Sequence, residues 1–183
     1  MTMILDRAFA STRAVLAQVK PDQLGSATPC AAWDVRALID HFVGSARWAA
    51  AMVDGTEQTG HVLDDFDLLA AHDESRAVAL AAFRVQGALD RNVRLPFGEF
   101  TGARLMGFAA TDQFTHGWDL ARALGLPTDL DPELATALLT RARVEVTDAY
   151  RGVEGRAPFR PAVEAPVGAN PADRLAAFLG RAV

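Results

Sequence analysis

The stretch from Thr111 to Arg122 carries two side chains that bind metals, placed four residues apart within an apolar run. Asp112 supplies a carboxylate and His116 an imidazole. If the run is helical, residues four apart lie on one face, one turn from each other. Both side chains would then point toward a core, where a charged group needs a partner. The pattern therefore directs attention to a third residue on another element.

The chain has four histidines, so three besides His116 could supply a third ligand. His41 lies at the margin of an apolar helical pattern, whereas His61 and His72 lie in polar stretches that we expect to be exposed. His41, Asp112 and His116 therefore form a candidate metal triad. Three protein ligands with a position left open are typical of catalytic metal sites. This N,N,O donor set suits Zn²⁺ best, with Ni²⁺ or Fe²⁺ as alternatives.

The residues alone also allow a simpler interpretation, because an Asp–His pair at this spacing is common as a hydrogen-bonded or surface contact on helices. Asp119 is expected either to accept a hydrogen bond that orients an imidazole or to pair with Arg122 or Arg47. Arg47 is also a candidate pocket residue. Trp33 and Trp118 are expected to be packing anchors, and either one could form a wall of the pocket.

Composition limits the class of protein. The chain has 183 residues, half of them hydrophobic, which predicts one globular domain over 1–183. A net charge of -5 argues weakly against nucleic acid as a partner, and no Lys/Arg cluster offsets that charge. No apolar run is long enough to span a membrane, and the charged Asp6-Arg7 argues against a signal peptide. The single cysteine, Cys30, fits a reducing compartment, so we predict a cytoplasmic location.

Apolar periodicity predicts an all-α fold of four or five amphipathic helices. Asp34 and Asp131 are predicted N-caps, the second followed by Pro132 at the first helical position. The predicted helices cover about 3–19, from 34 to before 55, 64–91, 103–124 and 131–150. A last short helix is predicted over 171–181, a turn or short ribbon at 93–102, and a loop at 151–170. Bundles of this kind can hold metal sites between facing helices.

Two separated motifs resemble a known family. The segment from Thr28 to His41, TPCAAWDVRALIDH, is similar to a signature of actinobacterial proteins related to the N-terminal domain of mycothiol-dependent maleylpyruvate isomerase. The segment from His116 to Ala121, HGWDLA, resembles the second signature, and 159–175 also looks like these relatives. The resemblance implies a DinB-like four-helix bundle with an additional short helix and a C-terminal tail.

Members of that superfamily commonly bind a divalent metal through three residues from two helices. Carried over by position, the resemblance assigns the ligands to His41, Asp112 and His116. The isomerase has Glu at the position of Asp112, so this chain carries the shorter acid. The isomerase also has a C-terminal domain that contributes to catalysis, for which we expect this chain to be too short. The resemblance therefore implies the metal bundle and use of a thiol cofactor, and leaves the substrate open.

Three functions follow as hypotheses. The first is a mycothiol-dependent transferase or isomerase, in which the metal activates a small-molecule thiol for attack on an electrophilic substrate. The second is a metal-dependent hydrolase of the same fold, with water in the open position. The third is a non-catalytic bundle that binds a ligand or partner. A bundle this apolar is also compatible with a homodimer.

Overall fold

The structure is a computed structural model that describes residues 2–56, 67–95, 98–153 and 156–183. These residues form six α-helices and one antiparallel pair of strands. The elements are α1 (Met3–Leu16), α2 (Val35–Asp54), α3 (Leu68–Arg84), β1 (Asn92–Leu95), β2 (Gly98–Thr101), α4 (Gly102–Ala123), α5 (Pro132–Glu145) and α6 (Pro171–Phe178). Short 3₁₀ turns cover Pro21–Gln23, Ala88–Asp90 and Asp148–Tyr150. The all-α prediction is right for most of the chain, and the hairpin is the exception.

The third helix is shorter than the pattern suggested. The helix predicted over 64–91 is α3, which runs without interruption through the polar stretch around His72 and ends at Arg84. Val85 leaves the helix with a ψ of 136°, and Gly87 has a φ of 79°. A glycine adopts such a left-handed conformation at little cost, so the chain turns there. Residues 64–66 lie outside the described part of the chain.

Side-chain caps fix the starts of α2 and α5. Asp34 accepts a hydrogen bond from the Ala37 amide at 2.8 Å, and Asp131 accepts one from the Leu134 amide at 3.1 Å. Both predicted N-caps are confirmed. The ends were predicted less well, because α1 ends at Leu16 and α5 at Glu145, each short of the predicted boundary.

Close packing of α1 on α4 sets the position of the HGWDLA motif. A Cβ at Gly117 would lie 2.5 Å from the Thr12 hydroxyl and 3.1 Å from the Thr12 Cα. The absence of a side chain therefore lets the two helices approach. The Thr12 hydroxyl donates a 2.7 Å hydrogen bond to the carbonyl of Gln113, so the polar residue within the apolar stripe of α1 has a buried partner.

The buried apolar side chains form two neighbouring clusters. The larger one joins the second half of α2 and the two strands to α1, α3, α4, α5 and α6, and it contains the fully buried Trp118. The smaller one joins the end of α1, the first half of α2 and the end of α4 around Phe42 and Leu120. Within the described ranges, no helix is long and apolar enough to cross a membrane.

Candidate metal centre

The loop before α2 fixes the first histidine of the triad. The Thr28 hydroxyl accepts a hydrogen bond from the Cys30 amide at 3.1 Å and donates one to the Trp33 carbonyl at 2.8 Å. The ring of Trp33 stacks on the ring of His41, with centroids 4.3 Å apart and planes at 29°. The TPCAAWD segment therefore orients the His41 imidazole at the side of the cavity described below.

The second and third members of the triad lie one turn apart on α4, as the spacing predicts. Oδ1 of Asp112 is 3.3 Å from Nε2 of His116 and 3.6 Å from Nε2 of His41. Each of the three residues offers a donor atom, and these atoms lie within 4.8 Å of one another. Two nitrogens and one oxygen therefore converge on one small region between α2 and α4.

Ser45 holds the carboxylate of Asp112 from α2. Its hydroxyl donates a 2.6 Å hydrogen bond to Oδ2, which leaves Oδ1 facing the two histidines. Burial would raise the pKa of Asp112, but His116 and His41 lower it well below its usual range. The contact between Asp112 and His116 has the opposite effect on the pKa of the imidazole. Burial would lower the pKa of His116, but Asp112 and Asp119 raise it well above its ordinary value.

Asp119 binds the far side of the His116 ring. Its Oδ2 lies 2.9 Å from Nδ1 of His116 and accepts a hydrogen bond from the Nδ1–H group, since an ionised carboxylate only accepts hydrogen bonds. Asp119 is fully buried, and Arg181 donates to both of its oxygens, at 3.3 Å from Nε and 3.0 Å from Nη2. Burial opposes ionisation, but Arg181 and His116 lower the pKa of Asp119 to about 2.

Cys30 lies beside the same carboxylate. Its thiol donates to Oδ2 of Asp119 at 3.4 Å, and its sulfur is 3.9 Å from Nη2 of Arg181. Cys30, His116 and Asp119 therefore form a second compact set of donor atoms, which shares one histidine with the triad. Because Arg181 neutralises Asp119 there, this second set is less suited to a cation than the triad.

The triad opens onto a cavity of about 860 Å³. Its walls are mostly apolar and include Trp48, Leu105 and Phe108 from the helices, with Tyr150 and Phe159 from the segment after α5. Thr115 also borders the cavity, and its hydroxyl is buried without a hydrogen-bond partner among the described residues. A cavity of this size and character accommodates a small organic ligand.

Of the three residues predicted to border a pocket, only one lies at the cavity. Trp33 borders the cavity, whereas Trp118 packs in the core and donates from Nε1 to Asp173 at 2.8 Å. Arg47 pairs with Glu74 on α3 at 2.9 Å and does not contact Asp119. Among the described side chains, neither Trp118 nor Arg47 lines the cavity.

The prediction for His72 was wrong, because it is fully buried and not exposed. Its ring lies edge-on to Phe9 and Phe42, with centroids 5.4 and 5.9 Å away. Nε2 of Gln113 lies 3.0 Å from its Nε2. Burial is the main reason that the pKa of His72 falls to about 4. His61 lies outside the described residues.

Sequence reasoning missed two residues that support the triad. Ser45 sits four residues after His41 on α2, so its place on the same helix face was visible, but its partner was not. Arg181 lies far along the chain and reaches Asp119 only through the fold. A pattern in the sequence gives no signal for that contact.

The chain belongs to the mycothiol maleylpyruvate isomerase N-terminal domain family, which matches residues 5–121. This match includes the triad and Asp119, and it ends before Arg181.

Two curated relatives resemble the chain over almost its whole length. They are the uncharacterized proteins MT0763 and Rv0738 of Mycobacterium tuberculosis, from strains CDC 1551 / Oshkosh and ATCC 25618 / H37Rv. Each is 42% identical over 185 residues, covering 99% of this chain and 97% of the relative. No solved structure matches the chain.

Proposed function

We propose that this protein is a DinB-like helical bundle that binds a divalent metal through His41, Asp112 and His116. The observation that carries the proposal is the convergence of the two Nε2 atoms on Oδ1 of Asp112. The donor set fits Zn²⁺, with Ni²⁺ or Fe²⁺ as alternatives, because all three accept imidazole nitrogen. The shorter side chain of Asp112 does not prevent the approach, since its Oδ1 already lies beside both rings.

The surrounding residues suit a metal site because each ligand has its own support. Trp33 stacks on His41, Ser45 donates to Asp112, and Asp119 accepts from Nδ1 of His116. In the neutral ring that a metal needs, the last contact keeps the proton on Nδ1 and leaves Nε2 of His116 available. Such outer partners of the ligands are a regular part of metal sites in proteins.

We propose that the activity is transfer of a low-molecular-weight thiol to an electrophilic substrate, or an isomerisation that proceeds through thiol addition. When bound, the metal would lower the pKa of a coordinated thiol and supply a thiolate at neutral pH. The family description names mycothiol, which we propose as the thiol. The apolar walls would hold the electrophile and exclude water.

The test combines metal analysis with a thiol assay. Purified protein is measured for bound metal and then assayed for mycothiol consumption with an activated aryl halide as electrophile. We expect about one metal per chain and thiol transfer that an Asp112→Asn variant loses. Asp22→Asn is the matched control, because Asp22 is exposed on a 3₁₀ turn. Full transfer activity in Asp112→Asn protein without metal would refute the proposal.

The same preparation separates the alternatives. Hydrolysis of esters or amides without any thiol would favour the metal-dependent hydrolase. Absence of stoichiometric metal, with no rise in melting temperature on adding Zn²⁺ or Ni²⁺, would favour the non-catalytic ligand-binding bundle. We further propose a single domain, a cytoplasmic location and a homodimer. Size-exclusion chromatography with light scattering tests the oligomeric state.

A further inference from the structure

Arg181 follows the last helix, outside the residues that match the family, yet it reaches the buried side of the candidate metal centre. Its guanidinium donates to Oδ1 of Asp119 from Nε at 3.3 Å and to Oδ2 from Nη2 at 3.0 Å. Oδ2 also accepts from Nδ1 of His116 at 2.9 Å. One carboxylate therefore connects the segment after α6 to a ligand of the triad.

We propose that Arg181 is a positioning residue for the metal centre, which acts through Asp119 to hold the His116 ring with Nε2 facing the cavity. The inference rests on the proposed metal site. It adds that the site depends on a residue far from the two motifs and that docking of the segment after α6 determines metal affinity.

The burial of Asp119 makes this dependence strong. The residue has no exposed surface, so water does not replace a lost partner. An ionised carboxylate in such a place needs paired charges and hydrogen bonds. Because Arg181 contacts both oxygens, the carboxylate cannot rotate freely, and the direction of its bond to His116 is fixed.

The backbone after α6 sets where Arg181 lies. The amide of Gly180 donates to the carbonyl of Ala177 at 2.9 Å, and the amide of Arg181 donates to that of Ala176 at 2.9 Å. These two bonds form a Schellman motif, in which the residue after the helix cap adopts a left-handed conformation. Gly180 has a φ of 90° and provides it. This turn therefore places Arg181 where its guanidinium contacts Asp119.

The experiment measures Zn²⁺ affinity by competition with a chromophoric chelator. Arg181→Gln is expected to weaken Zn²⁺ binding about 10- to 100-fold, the usual effect of losing an outer partner of a metal ligand. Arg181→Lys keeps the charge and should lose less. The matched control is Arg174→Gln, which removes an equal charge from an exposed position on α6 and should bind Zn²⁺ like the wild type.

A double-variant comparison shows whether Arg181 acts through Asp119. Asp119→Asn alone should weaken Zn²⁺ binding, and adding Arg181→Gln to it should weaken binding little further, because residues acting through one contact are not additive. Additive losses would overturn the positioning role. So would a Zn²⁺ affinity of Arg181→Gln equal to that of the wild type.

A metal-free measurement guards against a general loss of structure. In nitrogen-resolved NMR spectra of the apoprotein, the His116 Nδ1 proton should give a protected signal in the wild type and exchange faster in Arg181→Gln. An unchanged signal would overturn the inference even if Arg181→Gln lowers the melting temperature. A wild-type chain that binds no metal overturns the proposed function and this inference together. Wild-type binding with an unaffected Arg181→Gln overturns the inference alone.

Discussion

The rings of His41 and His116 meet edge to face, with centroids 4.7 Å apart and planes at 81°. They come from α2 and α4, and both direct Nε2 toward the same oxygen of Asp112. Two imidazoles and a carboxylate are thus held together by helix packing before any ligand is added. Binding of the proposed metal would therefore need no large rearrangement of these side chains.

Metal binding should raise the melting temperature. A ligand that binds only the folded chain adds about 2.7 kcal/mol to the free energy of unfolding at about 100 times its Kd. We expect Zn²⁺ to stabilise the wild type in scanning calorimetry and to have little effect on His41→Ala. Asp22→Asn should respond like the wild type. An equal rise in the wild type and His41→Ala would place the bound metal elsewhere.

Loss of the Ser45 hydroxyl should weaken metal binding more than it weakens the fold. Ser45→Ala removes the hydrogen bond to Oδ2 of Asp112 and allows the carboxylate to rotate. We expect roughly a tenfold loss of Zn²⁺ affinity and a change of about 1 kcal/mol in the free energy of unfolding. Zn²⁺ titration and urea unfolding measure the two effects. Ser26→Ala serves as control, and Ser45→Ala with unchanged affinity would contradict the role given to this hydroxyl.

His72 should make the stability of the fold depend on pH. Its pKa is about 4 in the folded chain, below the ordinary 6.5, so the unfolded chain binds more protons between these values. Stability is complete above about pH 6.5 and falls as the pH drops toward 4, by on the order of 3 kcal/mol. The free energy of unfolding, measured with urea at several pH values in this range, should change more steeply with pH in the wild type than in His72→Phe. Equal slopes would show that His72 does not titrate in this way.

Gly180 should be needed for the metal site as well as for the fold. In Gly180→Ala the new Cβ would lie 2.6 Å from Cβ of Arg160, at a φ of 90°. We expect a loss of more than about 1 kcal/mol in the free energy of unfolding and weaker Zn²⁺ binding as Arg181 moves from Asp119. Gly168→Ala is the matched control, because Gly168 has a φ of 82° but no atom within 4 Å of the added Cβ. That variant should lose stability and keep its Zn²⁺ affinity.

Two helix glycines should respond to alanine with opposite signs. Gly117→Ala places a Cβ against Thr12 and separates α1 from α4, so the free energy of unfolding should fall by about 1–3 kcal/mol. Gly44→Ala meets no atom within 4 Å, so it should gain roughly 0.5–1 kcal/mol from the better helix former. Urea unfolding of both variants provides the check. Similar destabilisation by both would mean that close packing is not the reason for Gly117.

Local sequence patterns predicted the starts of helices better than their ends. Asp34 and Asp131 cap the helices that they begin, because a cap involves only the next three residues. The third helix was predicted too long, since Val85 carries no signal that it leaves the helical conformation. The antiparallel strand pair Asn92–Leu95 and Gly98–Thr101 agrees with the predicted ribbon. Its pairing depends on residues close together in the chain.

For the candidate centre, the sequence by itself determined the pairing of Asp112 with His116, because the α-helix places residues four apart on one face. It also indicated His41, through its place in an apolar helical pattern and then through the family motif. Only the tertiary structure decided that Arg181 holds Asp119 and that His72 is buried. These contacts join residues far apart in the chain, and their energy depends on how whole helices pack.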